Sequence, residues 1–275
     1  MIRLLWRVVG LVLLLLAGLA VLFTAYRFVS LRRQSQIRRY WSQRLLWVCG
    51  VALQVKGQPI AANTLPGLVV MNHVSWLDIF ALNAAMPVTF VAKSEIRRWP
   101  LLGWLVSGTG TIFIERGSRH AVRHVNHQIR HRLARGEHVG FFPEGTTSNG
   151  QNVLPFHTSL FAAALHSAQV AQGGTEQQDR AASSESAIAP VPVMPMRIRY
   201  LQNDMPSDIP AYIGNDTLVG SIVKILSHRG LQVELKYLPV IERVPPTMTR
   251  HALAAAVEQE IRQSVTPLAA PSRLF

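Results

Sequence analysis

The sequence predicts an α/β domain with a mostly parallel sheet covered by helices, preceded by a transmembrane helix and an interfacial amphipathic helix. Short apolar runs bounded by turn residues alternate with longer helical patterns along most of the 275 residues. The uncharged stretch 8–26, between Arg7 and Arg27, would measure roughly 28 Å as a helix, about one hydrocarbon core. Composition agrees: 49% of residues are hydrophobic and the mean hydropathy of +0.19 is high for a purely soluble domain. With 16% charged residues the chain is too apolar for disorder, and a single Cys excludes a disulfide scaffold.

Taken in order, residues 1–30 read as the membrane anchor. A cleaved signal peptide is the competitor, because Arg3 and Arg7 make a basic leader. The apolar run is longer than a usual signal core, however, and no clean A-x-A site follows. Arg27, Arg32, Arg33, Arg38, Arg39 and Arg44 follow the stretch with no acidic residue before them. The positive-inside rule then places a single-pass protein in the inner membrane with its large C-terminal part cytoplasmic. Residues 31–56 read as a membrane-surface segment, since Ile37, Trp41, Leu45 and Val48 recur at helical spacing; a helix packed on the domain has the same period.

Residues 57–275 form the folded domain. Strands are expected at 68–71, 89–92, 111–115, 139–142, 191–194, 197–200 and 232–238, and helices at 76–85, 101–106, 120–135, 159–169 and 249–265. The stretch at about 170–189, rich in Ala, Gln, Ser and Gly without apolar period, reads as a mobile insertion. His120, His124, His127 and His131 form one stripe, but it falls opposite Val122, Val125, Ile129 and Leu133, so it reads as a solvated face and not a metal site. Cys49 reads as a small buried hydrophobe.

A net charge of +13 and a pI near 11.1 fit nucleic acid, an anionic membrane or an anionic substrate. Much of the excess is juxtamembrane arginine, and neither an aromatic and basic platform nor a zinc spacing occurs elsewhere. The bilayer is therefore the expected partner and nucleic acid is not.

Chemistry concentrates after the run 68–71, in Asn72-His73-Val74-Ser75-Trp76-Leu77-Asp78. A strand end opening into a helix is where α/β folds place functional groups. Asp78 can fold back to His73, fix its tautomer and leave the other ring nitrogen free as a base. Ser75 and Asp78 also fit a capping box, with His73 a loop histidine, and the spacing alone does not separate the two. No G-x-S-x-G elbow occurs to make Ser75 a nucleophile, so a dyad here implies that the attacking hydroxyl belongs to a substrate.

Four blocks in order resemble the glycerolipid acyltransferase family, whose best-known bacterial members are 1-acyl-sn-glycerol-3-phosphate acyltransferases. They are His73 to Asp78, Thr111-Ile112-Phe113-Ile114-Glu115-Arg116, Phe142-Pro143-Glu144-Gly145-Thr146-Thr147-Ser148, and Val191-Pro192-Val193. Ala92-Lys93-Ser94-Glu95 and Trp99-Pro100-Leu101-Leu102-Gly103-Trp104 are similar to the family's stretch between the first two. The resemblance covers about 67–200. It implies His73 as general base with Asp78 as partner, and acceptor binding by Lys93, Arg116, Glu144, Gly145 and Thr146. Pro192 falls in the block tied to the acyl donor. Arg116 has the planar fork to hold a phosphate and Lys93 could add a point charge; a surface charge or a pair with Glu95 or Glu115 is the alternative for either.

The implied activity is transfer of a fatty acyl group from acyl-CoA or acyl carrier protein to the hydroxyl of a lysolipid, foremost 1-acyl-sn-glycerol-3-phosphate, giving phosphatidic acid in phospholipid biosynthesis. No metal or other cofactor is implied; the thioester is a co-substrate. Members acting on lysophosphatidic acid usually carry Arg where Thr147 stands, and the run from Glu144 to Phe161 is similar to lyso-ornithine lipid acyltransferases, which form the alternative. A non-enzymatic basic membrane-anchored adaptor is the remote reading, and it leaves the ordered blocks unexplained.

Overall fold

The computed structural model describes residues 2–59, 65–99, 102–115, 119–165 and 191–265; the insertion expected at about 170–189 and Arg116 lie outside them. The described strands are β1 (Val51–Lys56), β2 (Leu68–Met71), β3 (Thr89–Lys93), β4 (Ile112–Ile114), β5 (Val139–Phe141), β6 (Val193–Gln202), β7 (Met205–Pro206) and β8 (Leu231–Tyr237). They make one sheet in the order β1-β8-β6-β2-β5-β3-β4, with β7 paired to β6. Pairing is parallel except for β6 with β7 and β8, as the alternating pattern predicts. Central β2 is buried at all four positions, which is why its sequence, LVVM, is uninterrupted apolar.

Helices cover both faces. On one lie α1 (Ile2–Thr24), α2 (Leu31–Cys49), α3 (Asp78–Ala85) and α6 (Leu218–Ser227), packed around Leu45, Leu77, Leu82, Met196, Ile198 and Ile225. On the other, α5 (Arg119–Ala134) and α7 (Arg250–Val265) enclose Phe141, Ile129, Phe161, Leu253 and Val257. A short α4 (Leu102–Gly108) lies beside the 3-10 turn Ser94–Arg98 and the lower part of α1.

Several boundaries differ from expectation. Residues 51–56 are not part of a surface segment but a strand, parallel to β8; Val51, Leu53 and Val55 alternate too briefly to stand apart from the helix before them. The runs 191–194 and 197–200 give one strand, Val193–Gln202, through Pro195, which pairs with Val70 of β2 and whose carbonyl accepts from the Leu238 N–H (3.1 Å) just past β8. The helix expected at 159–169 is a 3-10 turn, Ser159–Ala164, and residues 166–169 lie outside the described ones. Helix α6, capped by Thr217, was not expected.

The amphipathic α2 packs on α3 and buries Leu45, Leu46, Val48 and Cys49 while Arg32, Arg33, Arg39 and Trp47 stay exposed. Burial pushes the Cys49 thiol up to about 12, so it stays protonated and inert, as expected of a small hydrophobe. On α5 the four stripe histidines are exposed and Val125, Ile129 and Leu133 buried. No group of three metal-ligating side chains occurs among the described residues.

Helix α1 is long and apolar enough to cross a membrane. It also touches the domain at both ends. Arg7 Nη1 donates to the carbonyls of Leu226 (2.8 Å) and His228 (2.7 Å), and Arg3 Nη2 to that of Ser227 (2.7 Å), so two guanidinium groups cap the C-terminus of α6. At the opposite end Leu22 sits on Gly108 of α4, where an added Cβ would collide with the Leu22 side chain. The outward face of α1 carries exposed Leu5, Trp6, Val9, Val12, Leu13 and Leu16.

Candidate active site

Strand β2 ends at Met71, and the chain turns through Asn72 and His73 into α3. Asn72, fully buried, continues the ladder with its side chain: its amide donates to the Ile198 carbonyl (3.0 Å) and accepts from the Ile198 N–H (2.8 Å). The turn is thereby fixed against β6.

His73 is held at four points. Its N–H donates to Glu144 Oε1 (2.7 Å), and its carbonyl accepts from the N–H of Ser148 (2.8 Å). Its ring stacks on Phe142 with centroids 3.9 Å apart and planes 8° from parallel. Its Nδ1 lies 2.7 Å from Asp78 Oδ2. A carboxylate accepts, so Nδ1 carries the proton and Nε2 keeps its lone pair. No described residue bonds Nε2, and the side chain is 19% exposed, so an incoming hydroxyl can reach it.

Asp78 makes the bonds of both readings, to the His73 ring and to the backbone at the start of α3. Its Oδ2 accepts from His73 Nδ1 and also from the N–H groups of Val74 (2.7 Å) and Ser75 (2.9 Å), half of a capping box at the start of α3. The Ser75 hydroxyl instead accepts from the Leu77 N–H (3.3 Å) and is fully buried, which removes it as a nucleophile. Asp78 Oδ1 accepts from the hydroxyl of Tyr200 (2.6 Å).

The loop after β5 is the clamp for His73. Gly145 stands at φ +67°, a left-handed turn position suited to glycine, and its N–H donates to the Phe142 carbonyl (3.1 Å). Glu144, 4% exposed, was expected to grip an acceptor; instead its Oε1 takes the His73 N–H and its Oε2 the Leu154 N–H (3.0 Å). Burial raises its pKa to about 7, against those two hydrogen bonds. Since the folded pKa lies above the unfolded value of 4.5, this group contributes stability fully below pH 4.5 and loses it as pH rises through about 7. The change is on the order of 3 kcal/mol, at about 1.4 kcal/mol for each pKa unit. Thermal unfolding between pH 4.5 and 8 should show this slope in the parent and a flatter one, at lower overall stability, in Glu144→Gln.

Thr146 is exposed beside this loop, and the Thr147 hydroxyl donates to the Tyr212 carbonyl. Lys93 closes β3 and pairs in the ladder with Ile114, the last residue of β4. Arg116, two residues further, lies outside the described residues. Pro192 is not brought to the site. Its carbonyl accepts from Leu68 (2.9 Å) at the opposite end of β2, and five residues of strand put it roughly 16 Å from His73. Register, which a block order does not carry, makes the difference.

An apolar cavity of about 470 Å³ opens nearby between α1, α2, α3, α4 and β3, lined among others by Leu14, Val21, Trp41, Phe80, Phe90 and Leu105. Phe90 stacks on Phe142 (5.7 Å), which stacks on His73, so a stack of two phenyl rings links the cavity lining to the imidazole. Phe142 and Tyr200 carry this geometry and were not expected as site residues. Only the place of Phe142 beside Pro143 and Glu144 hinted at it.

A family model described as Acyltransferase matches residues 52–199, more than half of the chain. The chain belongs to this acyltransferase family. Among relatives of the acyltransferase, a lyso-ornithine lipid O-acyltransferase of Pseudomonas aeruginosa is 34% identical over 241 residues, 87% of this chain and 82% of that one. A 1-acyl-sn-glycerol-3-phosphate acyltransferase of Neisseria gonorrhoeae is 45% identical over 115 residues, 42% of this chain and 45% of that one. The crystal structure of the 1-acyl-sn-glycerophosphate acyltransferase PlsC from Thermotoga maritima shares the fold, with a TM-score of 0.55 at 20% identity, covering 94% of the acyltransferase and 96% of that chain.

Proposed function

We propose that the acyltransferase moves a fatty acyl group from an acyl-CoA or acyl carrier protein thioester to the hydroxyl of a lysolipid, without a metal or prosthetic group. The observation that carries this reading is the pairing of His73 Nδ1 with Asp78 in a partly exposed side chain, with no nucleophile among the described residues bonded to Nε2. Nε2 takes the proton of the acceptor hydroxyl as its oxygen attacks the thioester carbonyl, and returns it to the leaving thiolate. Asp78 holds the tautomer and balances the imidazolium formed in between. The cavity lined in part by Phe90 gives an acyl chain an apolar bed, linked to the base through Phe142.

For the acceptor, two observations favour a lyso-ornithine lipid. The relative aligned over most of the chain carries that name, and Thr147 offers no cation where a phosphate would need one. Lysophosphatidic acid is the second reading, supported by the Neisseria relative and by Lys93 at the end of β3. Both acceptors supplied side by side with one acyl thioester decide it. Lyso-ornithine lipid should give at least roughly ten-fold higher kcat/KM, a discrimination of the size one misplaced polar group produces. A reversed ratio would assign lysophosphatidic acid.

Both ends of α1 touch the domain, so a crossing of the bilayer would draw α4 and α6 in with it. We therefore place α1 along the cytoplasmic leaflet of the inner membrane, its exposed apolar face in lipid and the arginines of α2 at the headgroups.

A further inference from the structure

We propose that Tyr200 is a positioning residue for the base: its hydroxyl holds the second oxygen of Asp78 and so fixes the carboxylate that orients His73. This rests on the acyl-transfer reading for its kinetic consequence. The two oxygens of Asp78 are unequally served. Oδ2 is shared by His73 Nδ1 and two backbone N–H groups, whereas Oδ1 has Tyr200 as its one partner among the described residues. Asp78 is fully buried and Tyr200 is 3% exposed, so solvent is not at hand to replace the bond. A buried carboxylate oxygen without a donor turns toward other donors, and any turn about Cβ–Cγ carries Oδ2 away from Nδ1.

The strand is built to deliver this hydroxyl. Asn72 locks Ile198 to the turn through both of its backbone groups, and Tyr200 follows two residues on, on the same side of β6. Burial first, then the charge of Asp78, raises the Tyr200 pKa well above its usual value, so it stays a donor at any working pH. His73 is thus held from β2, from the loop after β5, and through Asp78 from β6, three neighbouring strands whose contacts join residues 71 and 122 apart in sequence.

The test is Tyr200→Phe, which keeps the ring and removes the hydroxyl that donates to Asp78 and bonds Ser75, measured in the Asp78 and Asp78→Asn backgrounds. Acting through the carboxylate charge, it should lower kcat roughly ten-fold with KM within about two-fold, and cost less than about two-fold once Asp78 is Asn. An unchanged kcat per folded molecule, or the same loss in both backgrounds, would overturn the proposal. The His73 Nδ1 proton, followed by NMR, reads positioning without turnover: it should be seen in the parent and exchange-broaden in Tyr200→Phe. A parent with no acyl transfer to any lysolipid would overturn the acyltransfer reading while leaving this resonance to decide the role of Tyr200; a resonance equally sharp in both proteins would refute that role.

Discussion

His73→Ala is expected to reduce acyl transfer by roughly 10² to 10⁴-fold or more while the domain stays folded. The imidazole is partly exposed and its ring contributes one stack on Phe142, so truncation costs little packing. Both backbone bonds of residue 73, to Glu144 and from Ser148, survive in Ala. No other described side chain stands by to take the proton: Ser75 is buried, and Glu144 is occupied by two N–H groups. Turnover normalised to folded protein, with circular dichroism as the control, checks this; near-parental turnover would remove His73 from the chemistry.

Asp78→Ala should be as damaging to activity and, unlike His73→Ala, damaging to the fold. It strips the acceptor from the Val74 and Ser75 N–H groups, from Tyr200 and from His73 Nδ1, all at a buried site. Leaving several buried donors unpaired costs on the order of 3–5 kcal/mol, visible as a lower urea midpoint. Asp78→Asn should be milder. Its amide oxygen can take the place of Oδ2, and the Tyr200 hydroxyl can turn to accept from the amide nitrogen, so the fold is kept while the imidazolium loses its counter-charge. A urea midpoint unchanged in Asp78→Ala would show that the capping bonds contribute nothing.

The central layer of the fold was legible because β2 and β5 are short, fully apolar and bounded by turn residues, the signature of parallel strands covered on both sides. The contact of His73 with Asp78 was legible for a local reason, since the two lie five residues apart at one turn. What escaped was set at a distance. The Glu144 carboxylate could be read as acidic but not as facing two backbone N–H groups, one of them 71 residues away. Tyr200 meets Asp78 across 122 residues, and only the register of β2 on β6, pinned by Asn72, brings them together. Pro192 lies away from His73 for the same cause, because the register that delivers Tyr200 to Asp78 carries the start of β6 to the opposite end of β2.

Thiol release from an acyl thioester, followed with and without lysolipid, tests most directly whether the attacking hydroxyl comes from the acceptor. With His73 as base and no nucleophile of its own, the acyltransferase should release thiol only when lysolipid is present, in step with the diacyl product, and its chain should carry no acyl label. A stoichiometric burst of thiol without acceptor, with the acyl group bound to the protein, would contradict direct transfer.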